Sequence, residues 1–131
     1  MNNADRLAAL TQVATLRLRA MQSEMAVLLS QETDLRNSLR RLTEEKQQSA
    51  IADRGADDPA RIANADLRWH RWVDQRKAVI NASLAQVLAK KMECRIKLKK
   101  AFGQNQATEA LAQRATRAAQ RVRARSADYE S

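Results

Sequence analysis

Residues 67–101 read LRWHRWVDQRKAVINASLAQVLAKKMECRIKLKKA. Apolar residues recur in this segment at spacings of three, four and seven; they are Trp69, Val73, Ile80, Leu84, Val87, Cys94, Leu98 and Ala101. On a helix this spacing places them along one narrow apolar seam, which is typical of a coiled coil. We therefore predict a long helix that pairs with another helix rather than packing into a globular core.

A second apolar seam precedes this one near the N-terminus. Its members are spaced by three and four and are Leu7, Thr11, Ala14, Leu18, Met21, Met25, Leu28, Glu32, Leu35, Leu39 and Leu42. Asn2 and Asn3 suit the helix N-cap, and Asp5 falls in the first turn, where the helix dipole favours a carboxylate. We predict a first helix from about residue 5 to residue 52.

Residues 53–59, DRGADDP, contain one of the two glycines and the only proline of the chain. Gly55 suits a helix C-cap, Asp58 an N-cap and Pro59 the first position of a helix. A turn this short reverses the chain, so the second helix, from about residue 60 to residue 126, runs back along the first. The predicted fold is all-α, a single long antiparallel two-helix coiled-coil hairpin.

The position of this turn predicts the pairing between the two helices. If the turn is centred near Gly55, the numbers of facing residues add to about 111, and Leu42 faces Trp69. The N-terminal start of the first helix then lies opposite Gly103, which together with Asn105 should weaken the second helix locally. We therefore expect an unpaired C-terminal extension from about residue 104, which needs another molecule as its partner.

Positive charge is concentrated in the second half of the chain. The net charge is +9, and residues 90–125 hold eleven basic side chains against two acidic ones. This asymmetry indicates an anionic partner, which could be a nucleic acid, a membrane surface or an acidic protein. The basic side chains at 90–100 surround the helix and are typical of a solvated face, with an electrostatic docking surface as the alternative. The arginines of the C-terminal extension recur on one side, and we interpret them as a partner-binding face: Arg114, Arg117, Arg121 and Arg125.

Two tryptophans lie three residues apart at the start of the second helix. Trp69 falls on the seam and is expected to pack near Leu42, whereas Trp72 falls beside the seam. A half-exposed tryptophan is a common anchor for protein contacts, so Trp69 and Trp72 mark a second candidate partner-binding region. His70, between them, is expected to face solvent.

The residues point away from catalysis and from cofactors. One cysteine and one histidine cannot form a cysteine-rich or histidine-rich metal site, and we find no phosphate-binding loop or paired catalytic carboxylates. We therefore predict a non-enzymatic protein without cofactor, metal or small-molecule substrate. The first residues lack the apolar core of a signal peptide, and the longest uncharged run, 78–89, is too short to span a bilayer. A cytoplasmic location is expected.

This layout resembles a family of type III secretion proteins, the flagellar export protein FliJ and its virulence counterpart YscO. The likeness covers nearly the whole chain and rests on architecture: a helix from the N-terminus, a short turn and a longer second helix. That second helix opens with the aromatic segment RWHRWV, residues 68–73, and continues through a Lys- and Arg-rich run to an arginine-rich tail.

The resemblance implies a stalk that resembles the central subunit of rotary ATPases. The end with both termini, including Arg114–Arg125, would enter the export ATPase ring, and the region of Trp69 and Trp72 would contact the export gate or chaperones. Such a protein is a monomeric hairpin when free and reaches the membrane only through its partners. The alternatives are a homo-oligomeric structural adaptor and, less favoured because no DNA-binding motif or aromatic stacking platform is present, a basic nucleic-acid-binding protein.

Overall fold

A computed structural model describes residues 2–52 and 59–130, which form two helices. Helix α1 spans Asn3–Ala52 and helix α2 spans Pro59–Glu130. The two helices pack against each other, and the described residues contain no strand. The chain is therefore an all-α helical hairpin, as the seam spacing predicts.

The described helix ends follow local sequence signals. The side-chain Oδ1 of Asn2 accepts a hydrogen bond from the backbone N–H of Asp5 at 2.8 Å, so Asn2 is the N-cap of α1. Pro59 is the first residue of α2, where its missing N–H leaves no helical hydrogen bond unmade. Gly55 and Asp58, to which we assigned capping roles in the turn, lie outside the described residues.

The hairpin divides into two compact units, each with residues from both helices. The first unit comprises residues 27–92. Its core is formed by Leu42, Val73 and Ile80, and the partly buried side chains that pack against this core are those of Leu35, Leu39 and Trp69. Every one of these residues belongs to a predicted seam.

The second unit comprises residues up to Ala26 and from Glu93 onward. Cys94, Ala101 and Asn105 of α2 are buried in it. The seam residues that α1 contributes are all half-buried, namely Leu7, Thr11, Ala14, Leu18, Met21 and Met25. Because a period of three and four is a local property of the chain, the seam could be identified without knowing the pairing.

The pairing itself differs from the prediction. In one unit Lys46 pairs with Asp74 and Glu32 with Lys91, and in the other Thr15 pairs with Asn105. The numbers of these facing residues add to between 120 and 123, not to about 111. The centre of the turn therefore does not predict which residues of the two helices face each other. The alignment is instead set by polar residues of the interface, because a polar group requires a hydrogen-bonding partner when it is buried.

This shift moves the end of the paired region toward the C-terminus. α2 continues as an α-helix through Gly103, and a Cβ atom added to that glycine would meet no atom within 4 Å. Asn105 lies in the seam and is 7% exposed, so it contributes to pairing rather than weakening the helix. Half-buried residues continue to Ala115, and every residue from Thr116 to Glu130 is exposed. The part of α2 that α1 leaves uncovered thus begins near residue 116, not near residue 104.

Candidate functional site

The C-terminal segment, residues 116–130, is the part of the second unit that α1 does not cover. It is helical throughout, and each of its side chains is exposed. It carries four arginines and two acidic residues, so its net charge is positive. Arg117, Arg121 and Arg125 lie within it, whereas Arg114 lies just before it, in the paired region.

The arginines of this region are distributed over two faces of α2. Counting from the buried seam residues Ala101 and Asn105, helical geometry places Arg114, Arg117 and Arg121 on the outer side of the helix. We call these three residues the outer arginine face. Arg125 instead flanks the seam on one side, and Arg123 flanks it on the other. Arg125 also follows Arg121 by one helical turn, so the four arginines that we grouped from sequence stay on one side of the helix, and Arg123 is the arginine that lies apart from them.

Trp69 is the more buried of the two tryptophans. It packs against the cluster of Leu42, Val73 and Ile80, so its first role is in the core. Its ring also contacts that of His70 edge-on, with the ring centroids 5.5 Å apart. Because the tryptophan is only half-buried, part of its ring remains available to another molecule.

His70 does not face solvent as we expected. Its Nε2 lies 3.2 Å from Oδ1 of Asp66, one helical turn away, and both side chains are about two-thirds buried. This contact and the edge-on contact with Trp69 hold the imidazole against the helix surface.

Trp72 is the exposed tryptophan, with 53% of its surface accessible to solvent. It follows Trp69 by three residues and precedes the fully buried Val73. An aromatic ring on such a rigid helical base loses little conformational entropy when it is covered by a partner. Of the two tryptophans, Trp72 is therefore the better candidate for a contact residue.

A charged pair occupies the seam of the first unit. Lys91 Nζ donates a hydrogen bond to Oε2 of Glu32 at 2.8 Å, and Arg36 donates to Oε1 of the same carboxylate at 3.1 Å. Glu32 and Lys91 both fall at positions that an apolar residue normally occupies. An unpaired charge at either position would destabilise the hairpin. The ion pair therefore favours the observed alignment of the two helices over shifted alignments. Sequence analysis missed this pairing, although one charge in each seam was a signal that they should meet.

The hydrogen bonds of Lys91 and Arg36 to Glu32 make the stability of the hairpin depend on pH. The hydrogen bond from Lys91, followed by that from Arg36, lowers the pKa of Glu32 below 4.5. The stabilising contribution of Glu32 is therefore complete above about pH 4.5 and is lost as the pH falls through its pKa in the folded protein.

We expect the urea midpoint of the wild type to fall below about pH 4.5, and we expect Glu32→Gln to remove part of that dependence. The measurement is urea unfolding, followed by circular dichroism, at several pH values. Glu44→Gln is the control, because Glu44 is exposed and its ion pair with Arg40 is long at 3.9 Å. Identical acid dependence in the two variants would contradict a stabilising role for the Glu32–Lys91 pair.

Asn105 and Cys94 are buried in the seam of the second unit. The Nδ2 group of Asn105 donates a hydrogen bond to Oγ1 of Thr15 at 2.9 Å, so the buried amide has a partner. Cys94 is 1% exposed, and its Sγ lies 3.7 Å from the backbone oxygen of Met21. Burial, with a smaller effect of the Glu24 charge, raises the pKa of the Cys94 thiol. This keeps the thiol protonated and unreactive, so Cys94 acts as a core residue.

The described residues contain no group of three or more His, Cys, Asp or Glu side chains that could hold a metal ion. Neither helix, over the same residues, has a segment both long and apolar enough to cross a membrane. The features that remain as candidates for function are surfaces: the C-terminal segment and the region around Trp72.

By fold class, the chain is an all-α hairpin of two paired helices. No protein-family model, curated protein or solved structure matches it.

Proposed function

We propose that this protein is a non-enzymatic stalk or adaptor of a type III protein export apparatus, of the kind found in flagella and in virulence systems. The observation that carries the proposal is the C-terminal segment, a helix of exposed residues that extends beyond the start of α1. A helical stretch of this length that lacks tertiary packing is only marginally stable in water and frays from its end, so such a segment is best explained by a partner that covers it.

In this proposal the C-terminal segment and the first turns of α1 insert into the ring of the export ATPase and favour its hexameric form. The outer arginine face would contact acidic or carbonyl groups that line the ring. Arginine suits this role because its planar guanidinium group donates several hydrogen bonds and remains charged at every physiological pH.

The region around Trp72 would then contact the export gate or chaperones. This ring is about half exposed, and the neighbouring basic side chains of Arg68 and Arg71 are exposed as well. An aromatic anchor among arginines is a common composition for a protein-binding surface. The protein would reach the membrane only through these partners, and it would otherwise be cytoplasmic.

The proposal is tested with the purified protein and the export ATPase encoded in the same genome. We expect the two proteins to elute together from a sizing column, and we expect the hairpin to increase both the hexamer fraction and the rate of ATP hydrolysis. Separate elution together with an unchanged rate of hydrolysis would overturn the proposed function.

A homo-oligomeric adaptor is the second candidate, because α1 also exposes apolar side chains. Val13 and Leu16 are each more than half exposed and lie on the side of α1 opposite its seam. In that case sedimentation equilibrium should show a stable dimer or tetramer, whereas the stalk requires a monomeric hairpin. Nucleic-acid binding would instead show as binding to duplex DNA or RNA that weakens steeply as salt is added.

A further inference from the structure

The apolar seam of α2 does not stop where α1 stops covering it. The buried and half-buried seam residues Ala101, Asn105, Thr108, Ala112 and Ala115 are spaced by four, three, four and three. The same spacing continues without interruption in the C-terminal segment, through Ala119, Val122, Ser126 and Tyr129. We call these four residues the open seam.

The open seam is exposed although it continues a buried interface. Val122 is 63% exposed and Tyr129 is 91% exposed. The small side chains of Ala119 and Ser126 alternate with them, so the backbone of a second helix could approach closely at those two positions. Continuity with the seam that α1 covers indicates that the open seam is suited to another helix, not to an irregular peptide.

Charge decides which helix would fit there. Arg123 and Arg125 flank the central part of the open seam, and Glu130 flanks its end beside Tyr129. Coiled-coil partners place complementary charges at such positions, so the two arginines favour an acidic partner. A second copy of this chain would bring another net charge of +9 and another pair of flanking arginines to the same place. Acidic flanking residues on the partner would instead be attracted, and they would also increase the rate of association.

We propose that the open seam binds an acidic amphipathic helix of another protein, with apolar residues facing Val122 and Tyr129 and carboxylates facing Arg123 and Arg125. The partner helix covers the seam of α2 beyond the start of α1, as α1 covers that seam along the rest of α2. The proposal does not depend on the export function, because it concerns a different face of α2 from the outer arginine face.

The probe for this proposal is a synthetic, fluorescently labelled peptide of about three heptads, with Leu at the seam positions and Glu at the flanking positions. Its binding to the full-length protein is measured by fluorescence anisotropy. A scrambled peptide of the same composition shows how much binding arises from charge alone. We expect the patterned peptide to bind at least about tenfold more tightly than the scrambled one.

A pair of variants with equal charge separates the open seam from the rest of the helix. Val122→Glu places a carboxylate on the open seam, whereas Ala124→Glu places one on the opposite side of the same helical turn. We expect Val122→Glu to weaken binding of the patterned peptide by about tenfold or more, and Ala124→Glu to change it by less than about twofold. Circular dichroism of both variants checks that helicity is retained.

Exchange of charge tests the flanking arginines. The double variant Arg123→Glu with Arg125→Glu should lose affinity for the Glu-flanked peptide and gain affinity for a peptide with Lys at the flanking positions. A gain in affinity for the basic peptide would report the charges that flank the open seam and not the net charge, because the variant protein still carries a positive net charge.

The proposal is overturned if Val122→Glu and Ala124→Glu weaken binding equally, or if the scrambled peptide binds as well as the patterned one. It is also overturned if the free protein is a dimer that Val122→Glu converts to a monomer, because the occupant would then be a second copy. Binding of the patterned peptide without any effect on an export ATPase would retain the open seam as a docking site and remove the proposed export function.

Discussion

Replacing Val73 by aspartate should unfold the hairpin or destabilise it by about 3–5 kcal/mol. Val73 is 0% exposed and belongs to the core cluster with Leu42 and Ile80. A carboxylate at this position would lose its hydration among the apolar side chains of that cluster. The free energy of unfolding, measured by urea titration with circular dichroism, gives the size of the effect.

Val79→Asp is the matched control for this prediction. Val79 lies six residues further along the same helix and is 57% exposed. The two substitutions change helix propensity equally, so the difference between them reports burial alone. We expect Val79→Asp to alter the free energy of unfolding by no more than about 0.5 kcal/mol. Equal destabilisation by both variants would show that Val73 does not lie in a packed interface.

Reversing the charge of the outer arginine face should strongly weaken the binding of the export ATPase. The variant combines Arg114→Glu, Arg117→Glu and Arg121→Glu. If these arginines meet acidic groups, three attractive contacts become repulsive, and repulsion of this kind costs several kcal/mol. We expect affinity for the ATPase to fall by about 100-fold, equivalent to about 2.7 kcal/mol, as measured by surface plasmon resonance.

This variant should keep its helicity, because the three arginines are exposed. A second triple variant with the same change in net charge serves as control: Arg68→Glu, Arg71→Glu and Arg76→Glu. These residues are also exposed and lie in the other unit. Unchanged ATPase affinity in the first variant would remove the outer arginine face from the proposed interface, and equal losses in the two variants would indicate only a general effect of charge.

Most of the fold was predictable because it follows from local patterns. The spacing of Leu35, Leu39 and Leu42 along one face is visible in the sequence, and so are the capping residue Asn2 and the helix-starting Pro59. Such features depend on neighbours within a few residues, so no knowledge of the pairing was needed.

The candidate site was predictable only in part. The excess of arginine near the C-terminus and the exposure expected for Trp72 come from composition and helical spacing. The extent of the unpaired segment was misplaced by about a dozen residues, because it depends on where α1 begins relative to α2. The open seam was visible as a spacing in the sequence, but its importance became clear only when Val122 and Tyr129 were found to be uncovered.

The sequence by itself thus determined that the chain forms two long helices, which residues form their seams, and that the C-terminal end is basic. The tertiary structure alone decided how the helices are aligned. Their apolar residues repeat so regularly that a shifted alignment would still place apolar residues opposite each other, so a few polar side chains that must meet distinguish the alignments. Glu32 meets Lys91 and Thr15 meets Asn105 in the observed alignment, which leaves the last fifteen described residues of α2 open to a partner.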